Sequence, residues 1–207
     1  VTEDKPSLQS WFDSLKRELE RAYLQHDEPW KQSGFSGPED RWVKCRRPIV
    51  DCIEKSGTFL DIGCANGYLL ECLLKWAGEK GVTIVPFGLD LSEQLVRLAK
   101  ARLPEYSKNF YVGNALIWKS PRRFDYVRTE LVYVPEYLQK RFVSNIIDHF
   151  LADHGKLLVT EYRPSGNYID RPWIDKKLED WGFQIDRRVS GFCDGQEMTR
   201  VCVIAKE

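Results

Sequence analysis

The stretch Thr58-Phe59-Leu60-Asp61-Ile62-Gly63-Cys64-Ala65-Asn66-Gly67 decides how the rest of the chain is read. Residues 58–62 form a short, nearly continuous apolar run, the pattern of a strand buried on both faces of a parallel sheet. The period then changes, and residues 68–80 read as a helix. Strand, glycine-bearing turn and helix, in that order, open a parallel α/β sheet. Ligands of such sheets bind beyond the carboxyl ends of the strands, which makes the turn at 63–67 the first place to look for a site. Gly63 and Gly67 allow a tight turn and close approach of backbone to a ligand, and Asp61 puts a hydrogen-bond acceptor at the strand end.

Toward the C-terminus the alternation continues. Strand patterns at 83–89, 110–112, 124–128 and 156–162 are separated or followed by helical patterns at 93–102, 137–151 and 171–181. Right-handed crossovers between such strands build a doubly wound sheet. The rhythm breaks at the end, where strand-like runs at 183–190 and 199–206 are joined only by residues 191–197. A loop this short forces an antiparallel pair, because parallel neighbours need a crossover of about a dozen residues or more. The expectation is an α/β fold: a doubly wound, mostly parallel seven-stranded sheet with an antiparallel terminal strand and helices on both faces.

Toward the N-terminus, Leu8, Trp11, Phe12, Leu15, Leu19, Ala22 and Tyr23 recur at spacings of three and four, predicting a helix over 8–26. Residues 27–40 carry Pro29, Gly34, Gly37 and Pro38 and read as a loop, and 41–54 is again helical, with Pro48 kinking it or opening a second helix. Residues 1–56 thus form a helical cap on a core of residues 57–207, the whole being one domain. At 207 residues the chain is long enough for a real core.

Composition narrows the function. Lys plus Arg and Asp plus Glu both number 31, so no overall positive field gathers nucleic acid or an acidic membrane. No apolar run approaches the roughly 18 residues of a membrane-crossing helix, and the first residues are polar and acidic, which suits a soluble, cytoplasmic protein. The six cysteines, Cys45, Cys52, Cys64, Cys72, Cys193 and Cys202, form no C-x-x-C pair and sit mostly in apolar patterns, as buried reduced thiols do. His26-Asp27-Glu28 is too local to wrap an ion, and no metal site is expected. His149 and His154 look like residues bounding the fifth strand.

The turn departs from the dinucleotide pattern G-x-G-x-x-G, since Ala65 takes the place of the middle glycine that makes room for a pyrophosphate. The second strand ends Phe87-Gly88-Leu89-Asp90, and a carboxylate there can accept both ribose hydroxyls of a nucleoside. Ser92 is the better N-cap for the next helix, which leaves Asp90 for a ligand. After the third strand comes Gly113-Asn114-Ala115, where Asn114 either reaches an adenine edge or serves the turn.

Together these residues resemble the class I, Rossmann-like S-adenosylmethionine-dependent methyltransferases, over roughly residues 58–207 and including the terminal antiparallel pair. The resemblance implies S-adenosyl-L-methionine as cofactor and S-adenosyl-L-homocysteine as product. It implies that Asp61, Gly63, Cys64, Ala65 and Gly67 flank the methionine portion, that Asp90 with Leu91 holds the ribose, and that Asn114 and Ala115 border the adenine.

Residues 129–135, Thr-Glu-Leu-Val-Tyr-Val-Pro, follow the fourth strand, where that family brings substrate to the methyl group. Glu130 either orients the cofactor or a nucleophile and accepts its proton, or caps the next turn. Tyr133 either lends a hydroxyl and an aromatic wall or packs in the core. In the cap, residues 30–37 with Trp30 and Phe35 either close over the site and touch substrate or form an exposed connection. After the fifth strand, in residues 161–168, Arg163 either pairs with a substrate anion or is a surface charge. Trp173 and Trp181 suit core packing, and Arg122-Arg123 suits solvent.

The leading expectation is a methyltransferase for a small molecule, working by direct in-line transfer. The Asn/Asp-Pro-Pro-Tyr pattern of base N-methylating enzymes is missing after the fourth strand, which counts against that chemistry and leaves protein or RNA-ribose targets as the alternative. A non-catalytic S-adenosylmethionine-binding domain is the third reading.

Overall fold

The computed structural model describes residues 7–164 and 171–206. One sheet of seven strands forms the centre: β1 (Gly57–Ile62), β2 (Ile84–Asp90), β3 (Phe110–Val112), β4 (Phe124–Thr129), β5 (Leu151–Tyr162), β6 (Arg187–Cys193) and β7 (Gln196–Ala205). Their order is β3-β2-β1-β4-β5-β7-β6. β7 runs antiparallel to both β5 and β6, and the other pairings are parallel. The last strand in the chain is therefore the antiparallel one, as expected, but it lies inside the sheet and leaves β6 at the edge. The strand order reverses between β1 and β4, so the crevice of an open α/β sheet falls at their carboxyl ends.

Six α-helices are described: α1 (Leu8–Tyr23), α2 (Glu39–Arg46), α3 (Tyr68–Glu79), α4 (Glu93–Arg102), α5 (Gln139–His149) and α6 (Ile174–Asp180). Strand periodicity sends successive side chains to opposite faces, and both faces are covered. Phe59, Leu158, Val201 and Val203 pack with α3, α4 and the Trp42 end of the cap. Leu60, Ile62, Leu157, Val159, Cys202 and Ile204 pack with α5, α6 and Phe12 of α1.

Boundaries differ from the sequence expectation for identifiable reasons. Helix 41–54 divides at Pro48 into α2 and a 3₁₀ segment, Arg47–Cys52. β5 starts five residues earlier than its apolar pattern because residues 151–155 form an irregular extension, in which His154 has φ 60° and Leu151 pairs with Phe124. β6 starts later than expected, and the hairpin is tighter. Asp194 (φ 52°) and Gly195 (φ 78°) make the two-residue turn that Asp-Gly favours, so both strands run right up to it.

Candidate functional site

The turn after β1 is built from three residues in the left-handed region, Gly63 (φ 77°), Ala65 (φ 46°) and Gly67 (φ 76°). Glycine adopts this conformation freely, whereas Ala65 is held there against its preference, as strained backbone at sites often is. What holds it is Asp90 at the end of β2. One carboxylate oxygen accepts from the Ala65 amide at 2.9 Å and the other from the Ser92 amide at 2.9 Å. The Gly63 and Cys64 amides bond the Leu89 carbonyl at 2.8 and 3.2 Å, so the two strand ends are stitched together. Ser92 caps α4 by accepting from the Leu95 amide, which separates the capping role from Asp90. A carboxylate has about four lone-pair positions, and with two used Asp90 retains capacity for a ligand. Burial pushes its pKa up, against the pull of the Ser92 and Ala65 amides.

A cavity of about 340 Å³ opens at this crevice. Of the expected residues it gathers Gly63, Ala65, Asp90, Leu91, Asn114, Ala115, Glu130 and Tyr133. Asn114 also makes a turn, its Oδ1 accepting from the Leu116 amide at 3.0 Å. Its far wall is α1: Phe12, Leu15, Leu19 and Tyr23 face inward, and Glu20 accepts a 2.6 Å bond from the Ser92 hydroxyl. Tyr23, pushed up to about 12 chiefly by burial and then by Glu130, is a neutral hydroxyl here.

Three expected cofactor residues sit behind the wall. Asp61 is 1% exposed and lines only a small recess of about 30 Å³ under the turn, together with Cys64. Burial also pushes the Cys64 thiol up. Gly67 is the N-cap of α3 and lies against Ala99 of α4, where an added Cβ would stand 3.0 Å from the alanine Cβ.

Asp61 belongs to a buried charge cluster centred on Arg128, a residue the sequence reading passed over. Arg128 is 2% exposed and uses all its nitrogens. Nε donates to Thr160 at 3.0 Å, Nη1 to Asp61 at 3.1 Å and Tyr133 at 3.3 Å, and Nη2 to Glu130 and to Tyr162 at 3.2 Å. Burial raises the Asp61 pKa to about 6, with the guanidinium pulling the other way. Glu130 does not cap the following turn. Its Oε1 accepts from Arg128 and from the Tyr133 hydroxyl at 2.9 Å. Tyr133, its own pKa raised by burial, lies over Gly63, where a Cβ would come within 2.4 Å of its ring.

The cap loop contributes differently from expectation. Ser33 and Gly34 line the cavity, while Trp30 and Phe35 do not. Trp30 Nε1 bonds the Gly37 carbonyl at 3.1 Å, and the Phe35 ring packs inward under the cations of Arg41 and Arg46. Asn66 ties the loop to the glycine turn through the Pro29 carbonyl (3.0 Å) and Gln32 (3.1 Å). Arg163 is 9% exposed: it pairs with Glu161 at 2.9 Å, donates to the Arg171 and Pro172 carbonyls at 2.8 and 2.7 Å, and stacks on Trp173. It braces a second cavity of about 530 Å³, which meets the first at Glu130, Val132 and Tyr162. The rest of that candidate loop, residues 165–168, lies outside the described residues.

No family model and no curated protein matches the chain. Solved structures do. One is 1,6-didemethyltoxoflavin-N1-methyltransferase from Burkholderia thailandensis, with its substrate and S-adenosylhomocysteine bound (TM-score 0.70, 14% identity, 100% of this chain and 93% of that one). Another is magnesium protoporphyrin IX methyltransferase from Synechocystis PCC 6803 with bound SAM (TM-score 0.65, 17% identity, 98% and 100%). A third is a ribosomal protein L11 methylase from Lactobacillus delbrueckii subsp. bulgaricus (TM-score 0.56, 16% identity, 84% and 81%). The chain has the class I Rossmann-like methyltransferase fold.

Proposed function

We propose that this chain is a single-domain S-adenosylmethionine-dependent methyltransferase that transfers the methyl group in line to a small molecule and releases S-adenosylhomocysteine. The observation that carries the reading is the cavity at the β1–β4 switch point. It gathers the strained glycine turn, Asp90 and the Asn114 turn, and α1 covers it. A fold hosts many functions, and it is these residues that point to one of them.

They suit the cofactor. Asp90 has lone pairs left for two ribose hydroxyls, Leu91 and Ala115 offer apolar walls for a nucleoside, and Gly63 admits ligand and the Tyr133 ring where a side chain would collide. When bound, the cofactor supplies a methyl group on a positively charged sulfur. The protein's part is chiefly to align the acceptor and exclude water, an effect worth about 7–11 kcal/mol where alignment is good. The inward apolar face of α1 excludes water. Glu130 stands where the two cavities meet, Tyr133 lines the first beside it, and their mutual hydrogen bond fixes both groups for orienting an acceptor N–H or O–H. The second cavity gives the acceptor room beside them.

A small acceptor is favoured by the covering helix and by the balanced charge. The fold neighbours act on small molecules and, in one case, a ribosomal protein, and a protein or RNA-ribose target is the alternative. No described helix is long and apolar enough to cross a membrane, and the six free thiols support a cytoplasmic enzyme. The test is isothermal titration with S-adenosylmethionine. Micromolar binding, lost in Asp90→Ala with the fold retained, is expected, and no binding by the unaltered chain overturns the cofactor assignment.

A further inference from the structure

Arg46, the last residue of α2, is 8% exposed, and its Nη1 is buried with no hydrogen-bond partner among the described residues. Its guanidinium carbon lies 3.3 Å from the centroid of the Tyr162 ring, with Phe35 and Trp42 at 5.8 and 5.9 Å. Aromatic faces offset part of the desolvation of a buried cation, but they give an in-plane N–H no acceptor. No described carboxylate around the cavity pairs with Arg46: Asp61 and Glu130 are held by Arg128, and Asp90 sits on the Ala65 and Ser92 amides at the end of β2. A buried guanidinium with a bare donor calls for an explanation, and an anion supplied by a ligand is a direct one.

Position says which anion. Arg46 lines both the main cavity and the recess under the glycine turn, alongside Ser33, Gly63 and Ala65. That is the end of the site away from Asn114 and Ala115, where the amino-acid part of the cofactor would lie. The Ser33 hydroxyl is not the anion's donor, because it already donates to the Trp30 carbonyl at 2.7 Å and accepts from Trp42 at 3.0 Å. We infer that Arg46, a residue of the cap and not of the glycine motif, binds the carboxylate of the cofactor's amino-acid end. It thereby makes the site specific for an intact amino acid on the nucleoside. This rests on the S-adenosylmethionine reading above. It also couples occupancy to the cap, since the same side chain packs α2 onto the end of β5 through Tyr162.

The experiment compares two ligands by isothermal titration on the full chain: S-adenosylhomocysteine, and its decarboxylated analogue, which differs only by the loss of that carboxylate. The unaltered protein should prefer S-adenosylhomocysteine by about 10- to 100-fold, the range of one buried charge-assisted contact. Arg46→Met keeps an apolar stem against Tyr162, and should bind both ligands about as the unaltered protein binds the analogue. Arg46→Lys should retain part of the preference. Equal binding of the two ligands by the unaltered protein, or an undiminished preference in Arg46→Met, overturns the inference. Should Arg46→Met fail to give a native circular dichroism spectrum, the two-ligand comparison on the unaltered chain and Arg46→Lys still decides. Failure of both ligands to bind the unaltered chain instead overturns the cofactor reading on which the inference rests, so the two failures are told apart.

Discussion

Arg128→Met removes the centre of the buried cluster, and its consequence can be worked from the structure. The guanidinium serves Asp61, Glu130, Tyr133, Thr160 and Tyr162 at once, from a position 2% exposed. Methionine fills most of the volume, so the change is chiefly electrostatic. Asp61, itself 1% exposed, loses its cation and becomes a buried carboxyl whose pKa, already about 6 beside the guanidinium, rises further. Breaking a buried pair from one side costs about 3–5 kcal/mol, a large share of the roughly 5–15 kcal/mol that holds a domain folded. Urea denaturation at pH 7 measures the loss. Asp61→Asn in the same background removes the stranded charge, so the double variant should recover about 1–3 kcal/mol relative to additivity. An Arg128→Met protein within about 1 kcal/mol of the unaltered one, or strict additivity with Asp61→Asn, would refute the cluster as a coupled unit.

Three further outcomes follow from the same geometry. Asp61 has its pKa raised from 3.8 to about 6 by folding, so the folded state binds its proton more tightly than the unfolded chain does. Its contribution to stability is therefore full below about pH 4 and is lost as pH rises through 6. Denaturation of the unaltered protein against Asp61→Asn should show the difference shifting by roughly 2.4 kcal/mol between pH 4 and pH 7, in that direction. Phe12→Ala opens a cavity under α1, with an expected loss of about 3 kcal/mol; amide exchange should speed up in α1 before α5, and equal acceleration in both would deny α1 its role as a separable cover. Glu130→Gln should leave S-adenosylhomocysteine affinity within about threefold while slowing methyl transfer by about 100-fold or more to any acceptor that supports turnover; unchanged turnover removes Glu130 from the reaction.

The β1 turn, Asp90 and the final hairpin were readable because each rests on local chemistry: glycine at positive φ, a carboxylate at a strand end, two strands too close in sequence for a crossover. The N-terminal helix was readable too, although it ends at Tyr23 and not at residue 26, but its apolar stripe could not say whether Phe12, Leu15, Leu19 and Tyr23 faced a packed core or a cavity, since both demand the same periodicity. Arg128 left one weak sign, a cation inside a strand otherwise made for burial. Its partners Asp61 and Thr160 lie on neighbouring strands, far away in sequence, and only the β1-β4-β5 order brings them together. Arg46 carried no sign, as it ends an ordinary polar helix and meets Tyr162 only through the packing of α2 on the sheet edge. Trp30 and Phe35 show the converse: aromatics in a glycine-rich loop suggested ligand contact, yet the loop turns them inward and offers Ser33 and Gly34 to the cavity.

A crystal structure with S-adenosylhomocysteine bound would show where the nucleoside sits. The nucleoside is expected in the cavity under α1, with both ribose hydroxyls within hydrogen-bond distance of Asp90, the adenine against Leu91 and Ala115, and the sulfur between Gly63 and the Glu130–Tyr133 pair. A nucleoside bound elsewhere, or one whose ribose makes no contact with Asp90, would contradict that placement.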